Sequence, residues 1–259
     1  METSRLSVPA VCLSADLRTA LRRARDLGIR GIELDARAGL APEQVTQTGL
    51  RQIRKWLGDE GVEVAAIAFR TRGGYADPER LEGRIAATKA ALTLAHDLGA
   101  GIVLNRPGAI PPADTPEWRL LVEVLTDIGG HGHKVGATLA AEAGAAAPAD
   151  LARLVAALPE ASLACDLVTG ALVVHGHDPV EAVALLGAHV ASVHATDAVA
   201  GPFAGRGRAV ELGTGDVDFP ACFAALEERG YRGWIGLEPV EDRTAREELA
   251  AAIDFLRVL

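Results

Sequence analysis

Short apolar runs alternate with amphipathic stretches about eight times along this chain, and that alternation restricts the folds open to it. The apolar runs read as strands at 6–13, 31–34, 62–69, 101–105, 136–141, 161–165, 190–195 and 234–238. Several are nearly unbroken in apolar residues, as expected of parallel strands covered on both faces. Between them, stretches at 16–27, 43–60, 79–98, 117–134, 149–157, 179–187, 218–229 and 244–257 place apolar residues at a spacing near 3.6, which predicts helices.

Punctuation supports the pattern. The segments "DLG" (26–28), "DEG" (59–61), "DLGA" (97–100) and "ERG" (228–230) put glycine where a helix stops. In "ADPER" (76–80) and "HDPVE" (177–181) an aspartate and a proline stand where a helix would be capped and begun. No stretch reads as a linker. Eight β/α repeats in 259 residues predict one (β/α)8 TIM barrel spanning 1–259. A doubly wound sheet is the runner-up, but it wants a Gly-rich turn after the first strand, and "CLSADL" (12–17) has no glycine.

Composition narrows the function classes. The net charge of −9, from 35 acidic and 26 basic residues, lacks the basic stripe of a nucleic-acid surface. The densest basic stretch, "LRTALRRAR" (17–25), reads as a solvated helix face. No uncharged apolar run approaches the roughly 18 residues of a membrane span, and the first ten residues lack the apolar core of a signal peptide. Cys12, Cys165 and Cys222 are far apart and odd in number, as in a reducing compartment. Together these features predict a cytoplasmic protein.

Chemistry concentrates at the strand ends, where barrel active sites lie. The fifth predicted strand runs to Glu142 in "LAAEAG", the sixth to Asp166 in "LACDLVTG", the seventh to His194 in "SVHATD" and the eighth to Glu238 in "IGLEPV". Buried unpaired carboxylates are costly, and three meeting at one mouth repel unless a cation is present. Three carboxylates and an imidazole suit one divalent ion, Mn²⁺, Mg²⁺ or Co²⁺ best, with Zn²⁺ also compatible. On this reading His194 is a ligand, and Asp197 holds its other ring nitrogen or sits near a substrate. His131 and His133 precede the fifth strand, which puts them at the opposite end of the barrel.

These residues carry a resemblance to the xylose-isomerase-like superfamily of sugar isomerases and epimerases, and within it to the sugar phosphate isomerase/epimerase group, with tagatose 3-epimerase and hydroxypyruvate isomerase as relatives. It extends over essentially the whole chain. It is strongest in "GIEL" (31–34), "TKAALTLAHDLGA" (88–100) and from "SVHATD" through "GTGDVDFPACFAALEERGYRGWIGLE" (213–238). The resemblance implies that Glu142, Asp166, His194 and Glu238 bind the metal and that Glu142 and Glu238 are the acid/base pair. It implies a small polyhydroxy carbonyl substrate. A carboxylate on each side of a bound sugar suits proton transfer beside its carbonyl, and a metal stabilises the enediolate. Arg206 and Arg208 match a segment that supplies a substrate-contacting arginine in some relatives. By analogy of fold alone, a homodimer is an assembly to test for.

The chain also departs from that pattern. Thr169 stands where many epimerase relatives have a histidine, and small residues follow Glu142, which implies a wider pocket. Thr169, Phe69, Asn105 and Glu33 complete the candidate substrate-binding residues, with Glu33 either bonding inside the mouth or pairing with Arg70. A metal-dependent lyase or dehydratase acting on a keto-glycoside or keto-inositol is the alternative function. A barrel that binds a ligand without catalysis is the second alternative.

Overall fold

The computed structural model describes residues 5–37, 40–240 and 245–259. Eight parallel strands close into a barrel: β1 (Leu6–Pro9), β2 (Gly31–Asp35), β3 (Glu63–Ala68), β4 (Ile102–Asn105), β5 (Thr138–Ala143), β6 (Ala164–Val168), β7 (Val190–Ala195) and, last in the chain, β10 (Ile235–Leu237). Each strand pairs with its sequence neighbour, and β10 closes the ring between β7 and β1. The helices around it are α1 (Ala10–Leu13), α2 (Leu17–Asp26), α3 (Gln47–Glu60), α4 (Leu81–Asp97), α5 (Pro116–Val135), α6 (Pro148–Ala157), α7 (Thr169–Val174), α8 (Pro179–Leu186), α9 (Phe219–Glu228) and α10 (Ala245–Arg257). The predicted start of the last helix, position 244, lies outside the described residues. No described helix is long and apolar enough to cross a membrane.

Several expected boundaries shift. The sixth strand runs Ala164–Val168 rather than 161–165 and so carries Asp166 inside it. Two of the shifts have local reasons. The first strand ends at Pro9 rather than at 13, because proline lacks the N–H that would continue the ladder, and the chain turns into α1. In "ADPER" the Asp77 side chain accepts from the Glu79 amide at 2.9 Å, which makes a turn, so α4 starts later, at Leu81. Arg84 meets the carbonyls of Gly74, Asp77 and Glu79 beneath that turn. A short antiparallel hairpin, β8 (Asp197–Val199) and β9 (Arg208–Val210), follows β7, and the apolar pattern does not predict it. Elsewhere the caps behave as predicted. Asp178 accepts from the Val180 amide at 2.7 Å, with Pro179 opening α8, and Gly61 ends α3 at φ 65°.

Inside the barrel the packing is small. Ala66, Ala68, Leu104 and Ala140 form their own buried cluster, with Ile102 and Ala164 against it, separate from the large core between strands and helices. Small inward residues leave room at the mouth for long polar side chains. Two ladder irregularities re-aim such side chains. One falls between Ile32 and Glu33 on β2, the other between Cys165 and Asp166 on β6.

Candidate active site at the barrel mouth

A hydrogen-bonded chain of three buried side chains lies across the barrel. His194 on β7 places Nδ1 2.9 Å from both oxygens of Asp166 on β6, and Nε2 3.0 Å from Oε2 of Glu33 on β2. Ser7 Oγ donates to the other Glu33 oxygen at 3.1 Å. Exposure is 4% for Glu33, 0% for Asp166 and 1% for His194, so water does not compensate these charges. Burial alone would lower the basicity of His194. The carboxylates of Asp166 and Glu33 outweigh it and hold the imidazole well above the ordinary histidine value. Burial likewise pushes Glu33 up, and the His194 charge and hydrogen bond, helped by Arg70 and Ser7, bring it below the ordinary glutamate value. Gly236 makes the space: a Cβ there would lie 2.7 Å from Glu33 Oε1 and from the His194 ring.

Glu142 has a different setting. Its Cα pairs with that of Asp166 across the β5–β6 ladder, so its carboxylate rises beside the buried chain. Both its oxygens are taken by guanidinium groups. Arg70 Nε donates to Oε1, and Arg106 Nε donates to Oε2 at 2.5 Å. The side chains of Glu142, Arg70 and Arg106 are 8%, 32% and 63% exposed, so Arg70 is the more enclosed partner. Arg70 also feels the charges of Glu33 and Glu238. Glu142 and Arg106 line a cleft of about 740 Å³ whose walls are Pro107–Ile110 and Ala143–Ala147, with His175 and His177 at its edge. Glu238 is exposed and lines a separate pocket of about 220 Å³ with Thr196, Leu212 and Pro239.

The structure reassigns several expected site residues. Asp197 does not touch the His194 ring. Glu33 occupies that nitrogen. Asp197 is buried and accepts four backbone N–H groups, from Ala198, Gly213, Gly215 and Val217, at 2.8–3.2 Å, which ties the Gly-rich segment to the end of β7. It anchors this loop, and it also lines the pocket of about 220 Å³ that holds Glu238. Thr169 is buried too, and its hydroxyl donates to the Thr196 carbonyl at 2.5 Å and accepts from the Thr196 amide at 3.1 Å, joining α7 to the end of β7. Asn105 is buried and donates to the Phe69 carbonyl at 2.6 Å. Phe69 itself is a core residue, with the Arg37 guanidinium 4.6 Å from its ring centre. These three tie strand ends together and are not among the residues that line the cleft beside Glu142. Arg206 and Arg208 are exposed, Arg208 on the β8–β9 hairpin. His131 lies in the later part of α5 and bonds Thr93 at 3.1 Å, away from the mouth.

The expectation of a divalent ion can be tested on the donors. Their chemistry fits, and half of their geometry fits. Glu33 on Nε2 is the kind of outer partner that orients a ligating imidazole. Nδ1 and the Asp166 oxygens then face one another across 2.9 Å, two electron-rich groups that require a positive charge between them, either a proton or a cation. The other half is not assembled, because Glu142 is held by two arginines and Glu238 lines another pocket. Among the described residues, no three His, Cys, Asp or Glu side chains are grouped so as to hold one metal ion.

Sequence reading misses the arginine clamp on Glu142. Its signal is an arginine directly after the apolar run that ends in "AIAF" (66–69), a place where a strand leaves the barrel.

A family model described as xylose isomerase-like TIM barrel matches residues 21–259. Among curated proteins, no sequence matches the chain. Among solved structures, a xylose isomerase domain protein from Planctomyces limnophilus is similar, with a TM-score of 0.85, 23% identity, and coverage of 98% of this chain and 95% of that one. An L-ribulose 3-epimerase superposes with a TM-score of 0.78 at 20% identity, over 98% and 94% of the two chains. The probable 3-DHS dehydratase AsbF from Bacillus anthracis does so with 0.79 at 16% identity, over 98% of each. At these identities the likeness is one of fold.

Proposed function

Because the chain belongs to the xylose isomerase-like TIM barrel family, we propose that it is a sugar isomerase or epimerase that moves a proton beside the carbonyl of a small polyhydroxy substrate. One observation carries this reading: Glu142 stands at the C-terminal rim, at the wall of a cleft of about 740 Å³, next in register to the buried Asp166–His194 pair. A largely buried carboxylate at a strand end is suited to general-base work. Glu238 is the proposed second member of the acid/base pair, and its use requires that a substrate span from the Glu142 cleft to the β10 end. Arg206 and Arg208 are proposed to close on the substrate from the hairpin side.

Asp166 and His194 are the proposed resident half of a divalent-cation site, Mn²⁺ being the ion to try first, with Glu142 and Glu238 completing it. When bound, the ion would supply Lewis acidity toward the substrate oxygens. The work of the chain's own groups is separate: Glu33 fixes the His194 ring, Ser7 fixes Glu33, and Gly236 leaves room for both.

A lyase or dehydratase on a keto-glycoside or keto-inositol is the second reading, favoured by the size of the cleft and by its lining of Ala143–Ala147, which leaves space for a bulky substituent. The test is a panel of keto-sugars and keto-glycosides incubated with Mn²⁺ in D₂O. Deuterium at the carbon beside the carbonyl with unchanged product skeleton supports the isomerase. Loss of water or an alcohol supports the lyase. No exchange with any member, with intact Mn²⁺ binding, points to a barrel that binds without catalysis.

A further inference from the structure

We propose that Arg70 is a built-in competitor for the cation, occupying Glu142 until a divalent ion displaces it. The inference rests on the reading of Glu142, Asp166 and His194 as ligands and adds a role for a residue outside that set.

Three relationships place Arg70 there. Its guanidinium donates to Glu142, the strand-register partner of Asp166, so it holds the carboxylate that the resident Asp166–His194 pair lacks. It is the more enclosed of the two arginines on Glu142, 32% exposed against 63% for Arg106, so its hydrogen bond is less screened by water. Its charge also acts on Glu33 and Glu238. One fixed positive charge therefore serves carboxylates from β2, β5 and the end of β10, the charge arrangement that a cation at the mouth would otherwise meet. A guanidinium and a divalent ion repel, so uptake of the ion at Glu142 requires that Arg70 withdraw toward its solvent-exposed side. Arg106 reaches Glu142 from the exposed rim and can leave it for water at little cost.

The competition predicts that removing the charge of Arg70 tightens metal binding. Mn²⁺ is titrated into the purified full-length protein and free ion is followed by electron paramagnetic resonance, for wild type, Arg70→Met, Arg70→Gln and Arg106→Met. Arg70→Met and Arg70→Gln are expected to bind Mn²⁺ about tenfold more tightly than wild type, the scale of one charge-assisted hydrogen bond lost to a competitor. Arg106→Met is expected to stay within about threefold of wild type, as an exposed pair should. Melting curves without ion show whether each variant folds, and Mn²⁺ is expected to raise the Tm of Arg70→Met by more than it raises that of wild type. Folded Arg70 variants that bind Mn²⁺ no more tightly than wild type overturn the competition while leaving the cation site standing. Failure of every protein to bind Mn²⁺ at millimolar ion overturns the cation site itself, and the competition with it.

Discussion

His194 Nε2 lies 3.0 Å from Oε2 of Glu33, a contact between residues 161 positions apart that joins β2 to β7 through the barrel interior. It leaves only Nδ1 for Asp166 or for anything that binds beside it. Removing one partner of a buried charged pair typically costs about 3–5 kcal/mol, because the other is left uncompensated. Glu33→Ala is therefore expected to lower unfolding stability by about that amount, measured by urea denaturation. A loss under about 1 kcal/mol would show that the contact does not form in solution.

Gly236 gives that pair its space. In Gly236→Ala the new Cβ would lie 2.7 Å from Glu33 Oε1 and from His194 Cδ2, so the pair or the strand must move, at about 1–3 kcal/mol. Gly58, on α3, is the control, because a Cβ added there would meet nothing within 4 Å. Gly58→Ala is expected to stabilise by about 0.5–1 kcal/mol through helix propensity. Equal effects at the two glycines would contradict the packing described around His194.

Most of the scaffold is readable in the sequence, and the reasons are local. The run 190–195 is a strand to the residue, because an apolar segment is bounded by the helix end before it and by Thr196–Asp197 after it. Asp178–Pro179 starts a helix because one side chain reaches two amides. The same dipeptide at Asp77–Pro78 makes a turn, where the aspartate reaches one amide and Arg84 on the following helix meets the turn's carbonyls. The site is less legible. Asp166 and His194 can be named as strand-end residues, yet the pairing of His194 with Glu33 and of Glu142 with Arg70 arises only when the barrel closes. Asp197 and Thr169 read as pocket groups, and their bonds to the backbone are invisible in the sequence, because a short polar residue at a strand end serves a ligand and the backbone alike.

Asp197 supports this last point with a test of its own. Its carboxylate accepts from Gly213, Gly215 and Val217 as well as its neighbour Ala198. Asp197→Ala should strip protection from the amides of 213–217 in hydrogen exchange and cost about 3 kcal/mol, since several buried donors lose their partner. Unchanged protection of those amides would show that the Asp197 carboxylate does not hold the segment.

The buried thiols set an alkaline limit. Burial pushes Cys165 up to about 12, with Asp166 adding to it, and burial likewise pushes Cys222 up to about 12. In the unfolded chain these thiols ionise near pH ~8.5. Their contribution to stability is whole below that value and falls as pH rises toward 12, because only the unfolded state gains the thiolate. The slope is about 1.4 kcal/mol per pH unit for each thiol. Denaturation from about pH 7 to about pH 10.5 should show this decline, and the Cys165→Ala/Cys222→Ala double variant should show a shallower one. Equal slopes in the two proteins would mean that the thiols are exposed.

The central claim is that Glu142 takes a proton from the carbon beside a substrate carbonyl. It is tested most directly by solvent deuterium incorporation into the keto-sugar that the wild-type protein turns over, repeated with Glu142→Gln at matched folding. Incorporation by wild type and a loss of about a hundredfold or more in Glu142→Gln is the expected result, the scale of a lost general base. Incorporation at the same rate in both proteins would contradict it.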